Sequence, residues 1–464
     1  MGLLWKANLV VIGIIAALCH RFYINYFSSV DLPNFNYNEY WGKGDENFYK
    51  EDTSIKQFKI VFEDKVINDL KQQLNRDIEF LPSYEDHPSF QYGFNAAKLK
   101  DIIKYWRDDY IPRYKERQDF FNQFQHFTTQ IQGLKIHFFH EKVPEIYKKS
   151  KKVYPILILH GWPGSVREFY ELVLIFKKFN RENKDYAFEV VVPSLPGFGW
   201  SEAASKSGMG PAHIAIVLRN LMLRLGYEKF YVQGGDWGSV IGSALATIFK
   251  ENIYGYHSNL CTFGTTKANL KLTIAKLFPK YFFEEDFYDF YPSILENLPT
   301  LIEETGYFHL QATKPDTIGI ALSHNPFGLA AYILEKFSTG TNMLFKNLPD
   351  GGLTKHFTMD ALIDNLMVYY LTNSIQSSVR IYAEAMTDKY RALDLDRVIS
   401  DAPYGCASFQ HDIGHSFDWQ IKDKYPNLKH HTYYRNIGHF AALQAPEVLF
   451  KDIIEFAQKT LEIS

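Results

Sequence analysis

The spacing of apolar positions changes several times along the chain, and each change marks a different element. In DKVINDLKQQL, starting at Asp64, Val66, Ile67, Leu70 and Leu74 recur at helical intervals, and AAKLKDIIKYWRDDYI from Ala96 repeats that spacing up to Pro112. From Phe127 the period shortens. FTTQI and LKIHFFH read as two strands joined at Gly133 in a hairpin. YPILILH, Tyr154 to His160, is apolar without alternation, as a strand buried on both faces of a parallel sheet is. Helix-like REFYELVLIFKKF, strand-like FEVVVPSLPGFG, helix-like AHIAIVLRNLMLRLG and strand-like KFYVQGG follow in turn. Alternation at this spacing predicts a doubly wound α/β core.

Between about 265 and 395 the strand pattern fades, and segments such as GLAAYILEKFS and MDALIDNLMVYYLT are helix-like, which predicts an inserted helical lid. Strand character returns in APYGCASFQ and KHHTYYRN, and PEVLFKDIIEFAQKTLE closes the chain as a helix. The expected division is a membrane anchor over 1–21, a linker and helical extension over 22–126, core over 127–264, lid over 265–395 and core again over 396–464. Residues 22–50, rich in Tyr, Asn and Phe without periodicity, are expected to lie along the surface.

The N-terminus changes the picture most. ANLVVIGIIAALC, Ala7 to Cys19, is almost wholly apolar; with Leu3 to Trp5 it gives about 17 residues, the short end of what spans a bilayer. The sequence after it, Leu-Cys-His-Arg-Phe-Tyr, makes a poor cleavage site, so a retained single-pass anchor is expected rather than a signal peptide. No Asn-x-Ser/Thr sequon occurs, and the domain beyond the anchor is expected to face the cytoplasm. Cys19, Cys261 and Cys406 are odd in number and far apart; they imply neither a disulfide framework nor a metal cluster and fit a reducing compartment. A net charge of -3 gives no electrostatic footprint for nucleic acid. The 38 Phe and 31 Tyr suit an apolar pocket, although each ring taken singly reads as core.

Three motifs carry the chemistry. QGGDWGS sits between a strand and a helix, where α/β hydrolases place G-x-S-x-G, with Asp236 at the centre instead of serine. Gly234 and Gly238 leave the room that such a turn needs, yet the motif alone fits a capped turn equally well. HGWPG, His160 to Gly164, follows a buried strand at the place of part of an oxyanion hole, and Ile437-Gly438-His439-Phe440 follows the last strand. Hydrolases run nucleophile, acid, histidine along the chain, which selects His439 from 16 histidines. For the acid, Asp394, Asp396, Asp401, Asp412, Asp418 and Asp423 are all candidates; Asp412, after the ASF strand, is the best placed.

HGWPGS, PSLPGFGWSE, GGDWGS, GYFHLQATKPDTIGIALSHNPFGLAAYILEKFSTGTN and GHFAALQAPE together resemble the microsomal epoxide hydrolase family, including insect juvenile hormone epoxide hydrolases, over nearly the whole chain. The resemblance implies an α/β-hydrolase fold with an inserted helical lid, an N-terminal helical extension and a membrane anchor. It implies Asp236 as nucleophile, His439 as general base and Asp412 as the relay acid, a place commonly held by Glu in mammalian members. It also puts Tyr307 and Tyr382 at the two lid tyrosines that hold the epoxide oxygen, and the backbone N–H groups of Trp162 and Trp237 in the oxyanion hole. Small lipophilic epoxides, juvenile hormone-like or xenobiotic, are the expected substrates, with no metal or organic cofactor and no nucleic-acid partner. A haloalkane dehalogenase shares the aspartate elbow and is the rival enzyme; a silent hormone-binding protein on the same fold is the rival without chemistry.

Overall fold

The computed structural model describes residues 2–262, 265–282, 287, 290 and 294–461, with the backbone alone for 2–11, 25 and 294–297. Its frame is one nine-stranded sheet in the order β1-β2-β3-β5-β4-β6-β7-β8-β9. The strands are β1 (Lys56–Phe58), β2 (His126–Ile131), β3 (Leu134–Glu141), β4 (Lys152–Leu159), β5 (Tyr186–Pro193), β6 (Phe230–Gly234), β7 (Ile253–Ser258), β8 (Tyr404–His411) and β9 (Leu428–Gly438). β2 and β3 form the expected hairpin; Gln132 and Gly133 turn it with φ of 52° and 84°. From β5 to β9 every pairing is parallel, and β4 is buried from Tyr154 to Leu159, which explains its unbroken apolar run.

Alternate residues of β7 face opposite helix layers. A Cβ on Gly255 would press on Phe456 of the last helix, Pro446–Thr460, whereas Tyr256 lies against Gly242 of the helix Trp237–Ile248. On one side Phe176 of Tyr170–Glu182 meets Phe450 at 4.9 Å, edge to face. The strand order reverses around β4, with β5 on one side and β6 on the other, so the carboxyl ends of β4 and β6 flank the crevice where such sheets bind ligands.

The N-terminal extension supports the lid. Helices Asp64–Leu74 and Ala96–Tyr105 form where the periodicity predicts them and pack on the lid helix Pro326–Thr341. Two features of this region differ from expectation. Residues 56–58 add an edge strand too short to leave a period-2 signal, and residues 22–50 do not simply follow the surface. Tyr40 and Trp41 are buried, and the Trp41 N–H donates to the Gln132 carbonyl at 2.9 Å, tying the segment to the hairpin. The helices from Thr266–Leu277 to Asp388–Arg391 are inserted between β7 and β8.

Two expectations need correction. Cys261 and Cys406 are disulfide-bonded, with Cα atoms 6.2 Å apart, because β7 and β8 are neighbours: Ser258 pairs with Cys406 across the ladder. The lid separates the two cysteines by 145 residues and hid their adjacency, and the inference of a reducing compartment falls with it. The N-terminal helix Gly2–Tyr26 contains the apolar run, but no helix among the described residues is long and apolar enough to cross a membrane.

Candidate active site

Asp236 sits at the tight turn from β6 into the helix Trp237–Ile248, with φ 49° and ψ -130°. Such a backbone is rare for a residue with a Cβ, and the surroundings hold it in place. A Cβ on Gly234 would strike the Gly238 carbonyl, one on Gly238 would strike the Leu159 carbonyl, and one on Gly161 would strike the Asp236 side chain. QGGDWGS is therefore an elbow, and at Gly234 and Gly238 backbone passes close against backbone.

The side chain of Asp236 meets partners from two separate segments. The Trp162 N–H donates to its Oδ1 at 2.7 Å, and His439 Nε2 lies 3.5 Å from its Oδ2. His439 Nδ1 is 2.7 Å from Asp412 Oδ1, which also accepts the Ile413 N–H at 2.7 Å. Of the six aspartates that spacing left open, the structure brings Asp412 to the imidazole. The His439 N–H donates to the Gly340 carbonyl at 2.8 Å, so the lid helix Pro326–Thr341 braces the histidine from above. For Trp237, the second expected oxyanion donor, the N–H lies at the start of its helix beside the elbow, with no bond to the carboxylate.

The electrostatics follow from burial and these contacts. Burial lowers the His439 pKa, but Asp412's charge and the contact with Asp236 outweigh it, and the imidazole is held well above its ordinary range. His160 is pushed down to about 4 by burial; Leu195 N–H donates to its Nε2 at 3.1 Å, so it braces the loop as a neutral ring. Tyr307 and Tyr382 are both pushed up, by burial first and then, in each, in part by the Asp236 charge. Tyr307 stacks on Trp162 at 5.6 Å, and Tyr382 meets Trp237 edge to face at 4.8 Å. The two tyrosines come from separate lid helices, Gly306–Thr313 and Ile375–Met386, and converge with 6.2 Å between ring centroids.

A cavity of about 450 Å³ opens over this group, walled by Trp162, Leu301, Phe308, Met343 and Phe440 among others, with Tyr307, His439 and Asp412 in its surface. Its size is that of a small-molecule site. Asp236 does not line it; its carboxylate lies behind Trp162 and His439, on a second cavity of about 20 Å³ that also touches Glu168. Glu168 is a partly buried acid missed by sequence reasoning, where it is one polar position in a helix-like run. Burial raises its pKa to about 8. Lys276, likewise overlooked, reaches the larger cavity from the lid, its pKa lowered by burial.

Among the described residues, His430, Asp452 and Glu455 lie close enough together to hold a metal ion, on β9 and the last helix. The Asp452 oxygens are already taken by His257 Nε2 at 2.8 Å, Tyr434 OH at 2.7 Å and Thr432.

Comparison with known proteins gives the same picture from outside. The family described as epoxide hydrolase N terminus matches residues 55–169, and that described as alpha/beta hydrolase fold matches residues 154–259. The chain is 43% identical to juvenile hormone epoxide hydrolase 2 of Ctenocephalides felis over 461 residues, covering 99% of this chain and 96% of that one. It is 40% identical to epoxide hydrolase 1 of Oryctolagus cuniculus over 421 residues, covering 90% of this chain and 91% of the other. The crystal structure of juvenile hormone epoxide hydrolase from Bombyx mori superimposes with a TM-score of 0.87 at 42% identity, covering 92% of this chain and 99% of that one.

Proposed function

The chain belongs to the epoxide hydrolase family, and we propose that it opens lipophilic epoxides to vicinal diols through an ester formed on Asp236. The observation that carries this reading is the line of contacts from the Trp162 N–H through Asp236 and His439 to Asp412. A carboxylate is ionised at neutral pH and needs no base to attack an epoxide carbon. In the resting enzyme His439 lies between Asp236 and Asp412, which favour its protonated form.

As the epoxide C–O bond breaks, charge grows on the ring oxygen. Tyr307 and Tyr382, kept protonated by burial, hydrogen-bond that oxygen and supply its proton. Asp236 is then an ester and has lost its charge, so one of the groups that raised the His439 pKa is gone. The imidazolium can now give up its proton, which restores the tyrosine hydroxyl, and the neutral imidazole acts as a base, oriented by Asp412. It takes a proton from water, the water oxygen adds to the Asp236 carboxyl carbon, and the oxyanion forms against the Trp162 N–H with Trp237 as the second donor. Each such donor contributes about 3–4 kcal/mol. A serine at 236 would leave a stable ether, so the aspartate is what permits turnover.

Single turnover in 18O water tests the route. The diol should carry no label, since its new oxygen comes from Asp236; labelled diol would exclude the ester. His439→Gln should accumulate the ester as added peptide mass. The dehalogenase alternative has one observation in its favour, the buried, unpartnered indole N–H groups of Trp162 and Trp237, which suit a halide. Halide release from a haloalkane at a rate rivalling diol formation would favour it; the tyrosine pair favours the epoxide.

The apolar cavity and the names of the flea and silkworm relatives support a juvenile hormone-like substrate. Comparing diol formation from a juvenile-hormone-like epoxide and from styrene oxide tests that choice; equal preference would count against it. We also propose attachment to the endoplasmic reticulum membrane through the N-terminal helix. Its described side chains Ile12, Ile14, Ile15, Leu18 and Phe22 are exposed, with no protein core to cover them. Deletion of residues 1–21 should release the enzyme from microsomes; retention would place the attachment elsewhere. With Cys261 and Cys406 joined, cysteine usage no longer argues for a cytoplasmic catalytic domain.

A further inference from the structure

Behind the nucleophile is a carboxyl group that the mechanism above does not use. Glu168 lies in the single turn Val166–Phe169 that follows HGWPGS, and its two neighbours fix where it points. Ser165 caps the turn, its Oγ accepting the Arg167 N–H at 3.2 Å. Arg167 turns toward the lid, where its Nε donates to Asp364 at 2.9 Å and its Nη1 to Glu171 at 2.7 Å. Glu168 turns the other way and has no cation partner among the described residues. Its Oε1 occupies the space where a Cβ on residue 164 would stand, so Gly164 is what lets the carboxyl approach the loop.

The carboxyl lines the small cavity of about 20 Å³ whose walls include Asp236, His439, Gly161, Trp162 and Asn259. A space of about 10–15 Å³ or more, bordered by several polar groups, holds one water. Here the polar groups are the nucleophile, the base and Glu168. We propose that this cavity is the seat of the hydrolytic water and that Glu168 is its positioning residue, accepting the O–H that His439 does not take. This rests on the reading that an ester on Asp236 is hydrolysed.

In that step the water gives one proton to His439 Nε2 while its oxygen bonds to the Asp236 carboxyl carbon. Its other O–H stays directed at Glu168. Collapse of the tetrahedral species breaks the bond from that carbon to the alkyl oxygen, which takes the proton from His439 and leaves as diol. Asp236, regenerated as the acid, then loses its proton. Burial, above all, raises the Glu168 pKa; Asp236's charge adds to this, while His439 opposes it. When His439 takes the water's proton, its charge favours the ionised form of Glu168, so the carboxyl is a better acceptor as that proton moves than beside a neutral imidazole.

Glu168→Gln tests this with little change of shape. The Ser165 backbone favours the ionised carboxyl, and the water's O–H needs an acceptor on the cavity side. Glutamine has one acceptor oxygen where the carboxylate has two, and its amide nitrogen is a donor. Stopped-flow measurement should show ester formation within about twofold of the parent and ester hydrolysis slowed by about tenfold or more, the range of a well-placed proton-transfer partner. The ester should accumulate in the steady state as added peptide mass. Glu168→Asp keeps both acceptors but withdraws them by one methylene, and should slow the same step by a smaller factor. Unchanged hydrolysis in either variant, or ester formation that falls in step with hydrolysis, overturns the proposal. If His439→Gln also accumulates no ester, the covalent reading itself has failed, and that outcome is distinct.

Discussion

Two carboxylates tie the lid to the rest of the molecule, and they do so very differently. Asp364, on the helix Met359–Thr372, is 0% exposed and accepts Arg117 Nη2 at 2.6 Å, Arg167 Nε at 2.9 Å and Tyr110 OH at 2.8 Å. Asp423, below the first lid helix Thr266–Leu277, also holds two cations at 2.6 Å, Lys267 and Lys271, but both lysines are about one-third or more exposed. The neighbours of Asp364 continue the attachment: Asn365 Nδ2 donates to the Pro163 carbonyl at 2.9 Å and Tyr369 OH to that of Gly164 at 2.7 Å. The rear of the lid is thus bonded to the HGWPG loop itself, and Ile375–Met386, which follows, carries Tyr382. The front of the lid keeps Leu270, Ile274, Leu277, Leu298 and Ile302 in solvent and rests on a small cluster of Ala275, Phe290 and Phe417. The firmly bonded half carries Tyr382 and grips the HGWPG loop, while the lightly held half walls the cavity.

If the rear half serves chemistry, its largest effect should be on rate. Tyr307→Phe with Tyr382→Phe should slow ester formation by about 10³-fold or more, since a positioned proton donor is worth about 10²–10⁴. Rapid-mixing kinetics of ester formation would measure it, with folding checked by circular dichroism. A loss under tenfold would remove the tyrosines from the proton-donor role.

Breaking the two attachments separately should sharpen the contrast. Asp364→Asn leaves two buried guanidinium groups short of their counter-charge and should cost about 3–5 kcal/mol in urea unfolding. Asp423→Asn breaks an ion pair at a partly exposed site and should cost about 1 kcal/mol or less. Equal losses would mean that the front of the lid is as firmly attached as the rear.

The two halves also differ in how much could be read from the chain. Around Asp236 the chemistry is local: a strand, two glycines and a helix are contiguous, and the order nucleophile, acid, histidine restricts the partners. Asp412 was one of six candidates until folding brought its Oδ1 to His439. Tyr307 and Tyr382 carry no local signal among 31 tyrosines and were reached only through resemblance. The Cys261–Cys406 bond and the setting of Glu168 depend on contacts made across the inserted lid or between loops, which periodicity does not encode. The apolar N-terminal run was plain in the sequence; what it attaches to is a matter of environment.

The smallest expected effect isolates the front half. Leu301 is 41% exposed, yet its inner side lines the large cavity, far from the bonds that hold Tyr382. Leu301→Ala removes apolar wall without touching a charge or a hydrogen bond. A long apolar epoxide that reaches the wall should lose about 1–2 kcal/mol of binding, in the range of a lost methylene contact in a hydrophobic pocket. Styrene oxide, too short to use the same wall, should change little. Because the interaction is equal in the ground and transition states, KM should rise for the long substrate while kcat stays constant. A fall in kcat for both substrates would show that the front wall also positions the reacting groups, and the division between a half for chemistry and a half for selection would not hold.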